Sequence, residues 1–263
     1  MGTERVSLTT NELAAVLVLC GYENMASQVL NSLDITEGSG DLYRFIEETE
    51  NSLKAKGFLD ENRGTVLTEG LESLLHILVQ SKRKIRCIKK DRVLFIHFIK
   101  GDERVLIQEI RHNTHFFSIY LVNEGFEQLL LKHYGLEIVI SELTDNLSTL
   151  QLSESIYDQL HNMEGGVLDR IINDEKVKGQ LKQFLIDFRN NGQELDNLSL
   201  IEMDYVKDYF EMKQVIFFLP SQKFLWHLDY DKIQEKEVYV TPVAIKKYFK
   251  KLSGVITSFI EEL

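Results

Sequence analysis

Two histidines stand three apart in "RHNTHFF", His112 and His115. An H-x-x-H pair can begin a zinc site, since two imidazole nitrogens supply half of a tetrahedral shell. No Cys pair or carboxylate at a ligand spacing completes it here, so the pair reads as a solvated turn and helix cap. Asp169, Asp174 and Glu175 form an acidic group, but they lack the alternating oxygen ligands and central Gly of a calcium loop. "EGSGD" at 37–41 has two glycines, no preceding strand and no Lys, and reads as a turn and not a phosphate cradle. No G-x-S-x-G, P-loop or G-x-G-x-x-G occurs. The two cysteines, Cys20 and Cys87, are too few for a disulfide framework. Both lie among apolar residues and read as buried thiols in a reducing compartment. The expectation is therefore no catalytic residue, no metal ligand and no cofactor, in a protein that works by binding.

The aromatic residues carry more information. Phe217, Phe218, Phe224 and Trp226 crowd one hairpin. Strand periodicity puts Phe224, Trp226 and Leu228 on one face and Leu225 and His227 on the other. The first face can pack under the closing helix, or stay open to take a partner's helix in an apolar patch rimmed by charge. The run from Phe98 to Arg104 poses the same choice, with a polar tip, "KGDE", suited to the rim of a contact. Phe98, Lys100, Phe224, Trp226 and Leu228 are thus the candidate partner-binding residues.

Charge narrows the partners. The 263 residues carry a formal net charge of −11, and 44% are hydrophobic, enough for one large core or two smaller ones. One run is basic, "KRKIRCIKKDR" at 82–92, with seven Lys/Arg against one Asp. The rest of the chain is more acidic still and repels nucleic acid, so the run reads as a strand with a solvated basic face. "MGTERVSLTT" has no apolar signal core, and Val6 stands where myristoylation needs Ser or Thr. No run approaches the roughly 20 apolar residues of a membrane span. A soluble, cytoplasmic protein is expected, with no nucleic-acid partner and no membrane insertion. Its oligomeric state is left open.

The elements that would position these residues follow from caps and periodicity. "LTTNELAAVLVLCG" is a helix with a capping box, Thr9 to Glu12, stopped at Gly21. "LYRFIEETENSLKAKG" is a second helix, ended by Gly57. Thr68 caps a third, "EGLESLLHILVQS". "KIRCIK", "RVLFIHFIK" and "ERVLIQEIR" are strands, the last two joined by the tight "KGDE" turn. "NTHFFSIYLVNEGFEQLLLKHYG" reads as a helix capped at Asn113 or Thr114. Farther on, "GGVLDRIINDEKVKGQLKQFLIDFRNNG" is helical. "NLSLIEMDY", "KQVIFFLP", "KFLWHLDYD" and "EVYV" are strands. "TPVAIKKYFKKLSGVITSFIEEL" is a closing helix, with Thr241 as cap and Pro242 at its first position. Helix, strands and a Thr-started helix thus occur twice. The expectation is an α+β fold with antiparallel sheet in a pseudo-two-fold arrangement, N-terminal helices and a C-terminal helix. The approximate halves are 1–135 and 166–263, joined by 136–165.

The stretch "GFLDENRGTVLTEGLESLL" at 57–75 has the order of parts of a winged-helix DNA reader. Such a reader needs a recognition helix before the wing and a symmetric dimer helix. Here a long antiparallel sheet follows instead. The order of parts resembles the EspG-like substrate chaperones of type VII (ESX) secretion, and their EsaE-type counterparts. The residues that carry the resemblance are "LTTNELAAV" in the first helix, "LKAKGFLD" from Leu53 to Asp60, and "VLTEGLESLLHIL". It continues in "RVLIQEIRHNTHFFSIYLV" and in "KFLWHLDYD" through "TPVAIKKYFKKLSGVI". The likeness rests on order and spacing, and residues 123–195 are longer and more helical than the pattern. It implies a single EspG-like domain over 1–263 that holds a helical-hairpin secretion substrate of WXG, LXG or PE/PPE type by an apolar end. It also implies that the substrate is kept soluble and delivered to the membrane machine, with no cofactor. Two other readings remain, a winged-helix regulator binding nucleic acid through 82–92, and an immunity protein that neutralises a toxin.

Overall fold

The structure, a computed structural model, describes residues 5–30, 39–99, 101, 103–138, 147–204, 209–230 and 235–261. The chain begins with β1 (Val6–Thr9), α1 (Thr10–Leu19), α2 (Glu23–Leu30), α3 (Ser39–Ala55) and α4 (Glu69–Gln80). Then come β2 (Arg83–Lys89), β3 (Arg92–Phe98), β4 (Arg104–Arg111), β5 (Thr114–Leu121) and α5 (Glu127–Tyr134). β6 (Leu150–Ser153) leads into α6 (Glu154–Asn162), α7 (Gly165–Asn173) and α8 (Gly179–Asn190). β7 (Asp196–Asp204), β8 (Tyr209–Pro220), β9 (Leu225–Asp229), β10 (Glu237–Val243) and α9 (Ile245–Glu261) complete it. The fold is α+β, with antiparallel strand pairs, N-terminal helices and a C-terminal helix.

The chain divides into two compact units. The first is Met1–Arg86, Arg92–Asn123 and Ile201–Lys213. Its strands run in the order β1-β5-β4-β3-β2, followed by the end of β7 and the start of β8. Helices α1 and α4 cover one face, and Leu13, Leu17, Leu71, Leu75, Leu106 and Phe117 share that core. The capping box forms as expected: Thr9 Oγ1 accepts from Glu12 N–H at 3.2 Å, and Thr9 N–H donates to Glu12 Oε2 at 2.6 Å. Gly21 and Gly57 end α1 and α3 at φ +78° and +70°. The next N–H in each case, of Tyr22 and Phe58, returns to the carbonyls of Leu17 and Leu53, at 2.8 and 3.0 Å. Such closures need a left-handed residue, which glycine reaches without a Cβ penalty.

A buried polar row crosses this unit under α1. Thr10 donates its hydroxyl to the Asn113 carbonyl at 3.3 Å and meets His115 Nε2 at 3.2 Å. His115 Nδ1 meets Gln108 Nε2 at 2.8 Å, and Gln108 Oε1 meets His97 Nε2 at 2.9 Å. With the Thr10 hydroxyl donating to Asn113, the row is satisfied when His115 is neutral with its proton on Nε2 and His97 donates from Nε2 to Gln108 Oε1. Burial pushes His115 down to about 4, and holds His97 well below the ordinary histidine range with the Lys84 charge adding to it.

Several expectations are corrected in this unit. The segment from Thr114 to Leu121 is a strand, not a helix. His115 and Phe117 are buried, alternating with the more exposed Thr114, Phe116 and Ser118, which is the two-residue period of a strand. His112, at φ +52°, sits in the β4–β5 turn, and His115 belongs to the polar row and not to a solvated cap. Ser39, Gly40 and Asp41, expected in a turn, begin α3, while residues 37 and 38 lie outside the described set. Thr68 occupies the N-cap of α4 with extended backbone, but its side chain makes no capping hydrogen bond.

The second unit is Cys87–Asp91, Glu124–Leu200 and Gln214–Leu263. It carries β8-β9-β10-β6 in that order, with helices on both faces. Trp226, Phe224 and Leu228 pack with Phe184, Phe188 and Leu168 of α7 and α8. On the opposite face Phe218 meets Tyr134 of α5 and Tyr248 and Phe249 of α9 edge-on, and His227 Nδ1 lies 3.2 Å from the Tyr248 hydroxyl. The alternation along β9 is therefore as read from the sequence. The closing helix, however, covers the His227 face and not the Trp226 face. That helix begins at Ile245; Thr241 and Pro242 lie in β10, where Pro242 pairs with Trp226. Proline is tolerated there because β6 pairs with Glu237–Val240, so among the described residues β10 has a single neighbour at that point. The long helix expected over 165–192 breaks between α7 and α8, where Asp174 Oδ1 accepts from Lys176 N–H at 2.9 Å.

The basic run forms β2 as expected, but it is not a uniformly solvated face. Lys84 is 2% exposed, donates to the Leu78 carbonyl at 3.3 Å, and is pushed down to about 7 by burial. Lys82 pairs with Asp204 at 3.0 Å, and Lys89 donates to the Tyr134 carbonyl. Among the described residues no helix is long and apolar enough to cross a membrane, and no group of three His, Cys, Asp or Glu could hold a metal ion.

Candidate partner-binding groove

The residues that sequence analysis nominated are mostly core. Trp226 is 0% exposed, and its indole N–H donates to Asp187 Oδ2 at 2.8 Å. Phe184 and Phe224 meet the indole edge-on, with centroids at 5.7 and 4.9 Å. Phe224, Leu228 and Phe98 are buried as well, while Lys100 lies outside the described residues. A side chain enclosed in this way offers a partner no area to cover, so the four described candidates do not line an interface in this structure.

The exposed apolar surface lies in the first unit. Helix α1 reads "TNELAAVLVL", apolar nearly all round. A helix of that kind belongs in a core on every side. One side does face the core, through Leu13, Val16 and Leu17. The other does not: Val18 and Leu19 are 50% and 45% exposed. Ala14 and Ala15, on the groove side, are small enough to leave a depression. Ile46, 53% exposed, and Leu53 of α3 form one wall. Leu59 and Val66, from the connection between α3 and α4, form the other. The half-open depression has a volume of about 400 Å³, and Glu50 is the sole ionisable side chain among the described residues that line it.

Two devices hold the groove in shape. Glu12, 2% exposed at the start of α1, accepts from Ser52 Oγ at 2.6 Å and Lys56 Nζ at 2.7 Å, which ties α1 to the far end of α3. Burial alone would raise the Glu12 carboxyl. The hydrogen bonds from Lys56, Ser52 and the Thr9 N–H, with the Lys56 charge, outweigh burial and hold it below the ordinary range. The second device is the connection itself. Leu59 bridges to Leu67, Asp60 N–H donates to the Val66 carbonyl at 2.9 Å, and Val66 N–H donates to the Arg63 carbonyl at 3.0 Å. This turn holds Val66 at φ +59°, a conformation that a β-branched residue adopts only under strain. The strained residue is 38% exposed and lines the groove.

Sequence reasoning noticed α1 for its cap and passed over its missing polar face. That missing face was the available signal.

No protein-family model matches the chain, and no curated protein matches it. Among solved structures the chain is similar to the Mycobacterium tuberculosis type VII secretion system chaperone EspG5, seen in complex with the PE25–PPE41 dimer. The likeness covers 93% of each chain at a TM-score of 0.52 and 9% sequence identity, and it shows a shared fold.

Proposed function

We propose that this protein is a type VII secretion chaperone that captures a helical-hairpin substrate of WXG, LXG or PE/PPE type. It keeps that substrate in solution in the cytoplasm and delivers it to the secretion machine without chemical change. The observation that carries the reading is the exposed apolar side of α1, in a chain whose fold is that of a chaperone solved with its PE–PPE partner. A helix laid in the groove would cover Val18, Leu19, Ile46 and Val66, each Å² of apolar surface contributing about 25 cal/mol before the cost of association is subtracted. Glu50 at the edge, paired with Lys54 at 2.8 Å, would share its carboxylate with a flanking Lys or Arg of the substrate. The nucleic-acid reading loses support, because three lysines of the basic run already bond within the fold.

The test is co-expression with each WXG- or LXG-type protein of the same genome, followed by pull-down. Capture by the wild-type chain, and its loss in Val18→Asp with an unchanged melting temperature, is the expected result. If no such protein binds the wild-type chain, the substrate reading fails and the toxin-neutralising reading takes its place.

A further inference from the structure

Among the described residues, strand β8 is open on one edge along half its length. β9 pairs with Phe217–Pro220, β7 is the neighbour on the other edge, and among the described residues no strand pairs with Tyr209–Ile216 on the β9 side. Every residue from Tyr209 to Gln214 is exposed, Phe210 at 58% and Met212 at 39%. A bare edge presents a row of backbone donors and acceptors that an extended segment can complete. Charges on edge strands usually discourage this. Here their order does the opposite for one occupant.

We propose that this edge pairs with the same edge of a second copy of the chain, antiparallel and centred on Met212, to make a two-fold dimer. In that register Glu211 stands opposite Lys213 of the second copy, and Lys213 opposite its Glu211. Met212 meets its own counterpart, and Phe210 stands opposite Gln214. Glu211 and Lys213 share one face of the strand, where Lys213 Nζ reaches both Glu211 and, at 3.4 Å, Glu202. Phe210 and Met212 share the other face with Gln214, so the charged pairs lie on one dimer face and the apolar side chains on the other. Registers centred one residue to either side place Glu211 on Glu211 or Lys213 on Lys213. Like charges directly across a strand pair are destabilising, so the sequence itself selects the register. A self-complementary patch of this kind closes as an isologous pair and does not propagate. The inference stands apart from the substrate reading, since it uses no groove residue.

Sedimentation of the full chain over a range of concentrations tests it. The wild type should dimerise. Glu211→Lys alone and Lys213→Glu alone each set like charges at both cross-strand positions, and each should weaken the dimer on the order of tenfold or more. Mixing the two single variants should restore it, because one chain then carries only lysine at the two positions and the other only glutamate. The double exchange, Glu211→Lys with Lys213→Glu, should restore it as well. Unchanged melting curves for the four proteins show that folding is not what moved. A wild type that stays monomeric, single variants that dimerise as well as the wild type, or a mixture that stays monomeric would each overturn the proposal.

Discussion

The two units solve the same problem differently. The β9 hairpin of the second unit concentrates Phe224, Trp226 and Leu228 on one face and closes helices over it until Trp226 has no exposed surface. The α1 helix of the first unit is almost as apolar, yet half the surface of Val18 and of Ile46 beside it remains in water. The difference lies in what each apolar surface asks of its neighbours. An indole needs a partner for its N–H once buried, and Asp187 supplies it, so the site is specified down to one hydrogen bond. Aliphatic side chains ask only for contact, and a surface made of them can wait for a second protein. A high density of aromatic residues marked the tightest packing here, and a modest aliphatic helix marks the opening.

Substitutions can break or sharpen that contrast. The largest effect is expected at Trp226. Trp226→Ala removes the centre of the second core and takes one of the hydrogen bonds from Asp187, which keeps that from Gln183, and should destabilise by about 3–5 kcal/mol in a chemical unfolding titration. Next is Glu12→Ala, which severs α1 from α3 and leaves the Lys56 charge without its partner. A loss of about 2–3 kcal/mol is expected, present at every pH above the ordinary carboxylate range. The sign follows from the lowered carboxyl. Its stabilisation is present above the unfolded value and is lost as pH falls through the folded one, so wild type and variant should converge in acid. Asp196 works in the other direction. Burial raises it to about 6, so its protonation favours the fold at low pH. That contribution is full below the unfolded value and is lost as pH rises through about 6. Asp196→Asn, still able to accept from Asn191 Nδ2, should raise stability at pH 8 by on the order of 1–3 kcal/mol and flatten the decline that leads up to about pH 6. Val66→Gly relieves the strained turn, and should stabilise the free chain by about 1 kcal/mol or less while weakening capture. Smallest of all on stability are Val18→Ser and Ile46→Ser. Each should change the unfolding free energy by no more than about 0.5 kcal/mol. A large loss of stability from either would show that the groove is core after all and erase the contrast between the units.

Much of the architecture was legible because local signals agreed with the final packing. The Thr9–Glu12 box, the Gly21 and Gly57 stops and the alternation along β9 each depend on a few neighbouring residues. The errors came where long-range pairing decided. "THFFSIYL" suits a helix cap in isolation, but its alternation becomes decisive once β4 lies beside it and β1 on the other side. Thr241 and Pro242 form a good helix start, but their pairing with β9 delays the helix to Ile245. The candidate site was the least legible part. Burial of Trp226 depends on helices distant in sequence, and exposure of Val18 depends on the absence of anything over it among the described residues. Neither is written in the residues themselves.

The polar row from Thr10 to His97 has a consequence for how the strands find each other. Its hydrogen bonds all point one way, from His97 through Gln108 and His115 to Thr10 and the Asn113 carbonyl. Each link joins a different element, and each has one donor and one acceptor, so no member can be satisfied by a substitute from the hydrocarbon around it. A slip of one residue in β3, β4 or β5 would turn that strand's member outward and leave its neighbours buried without a partner. A slip of two residues keeps every side chain on its own face, and an aliphatic core alone discriminates weakly against it because one methyl group packs much like another, whereas the row would still lose its partners. The row works as a key cut across three strands and a helix: it turns in one alignment and jams in the rest.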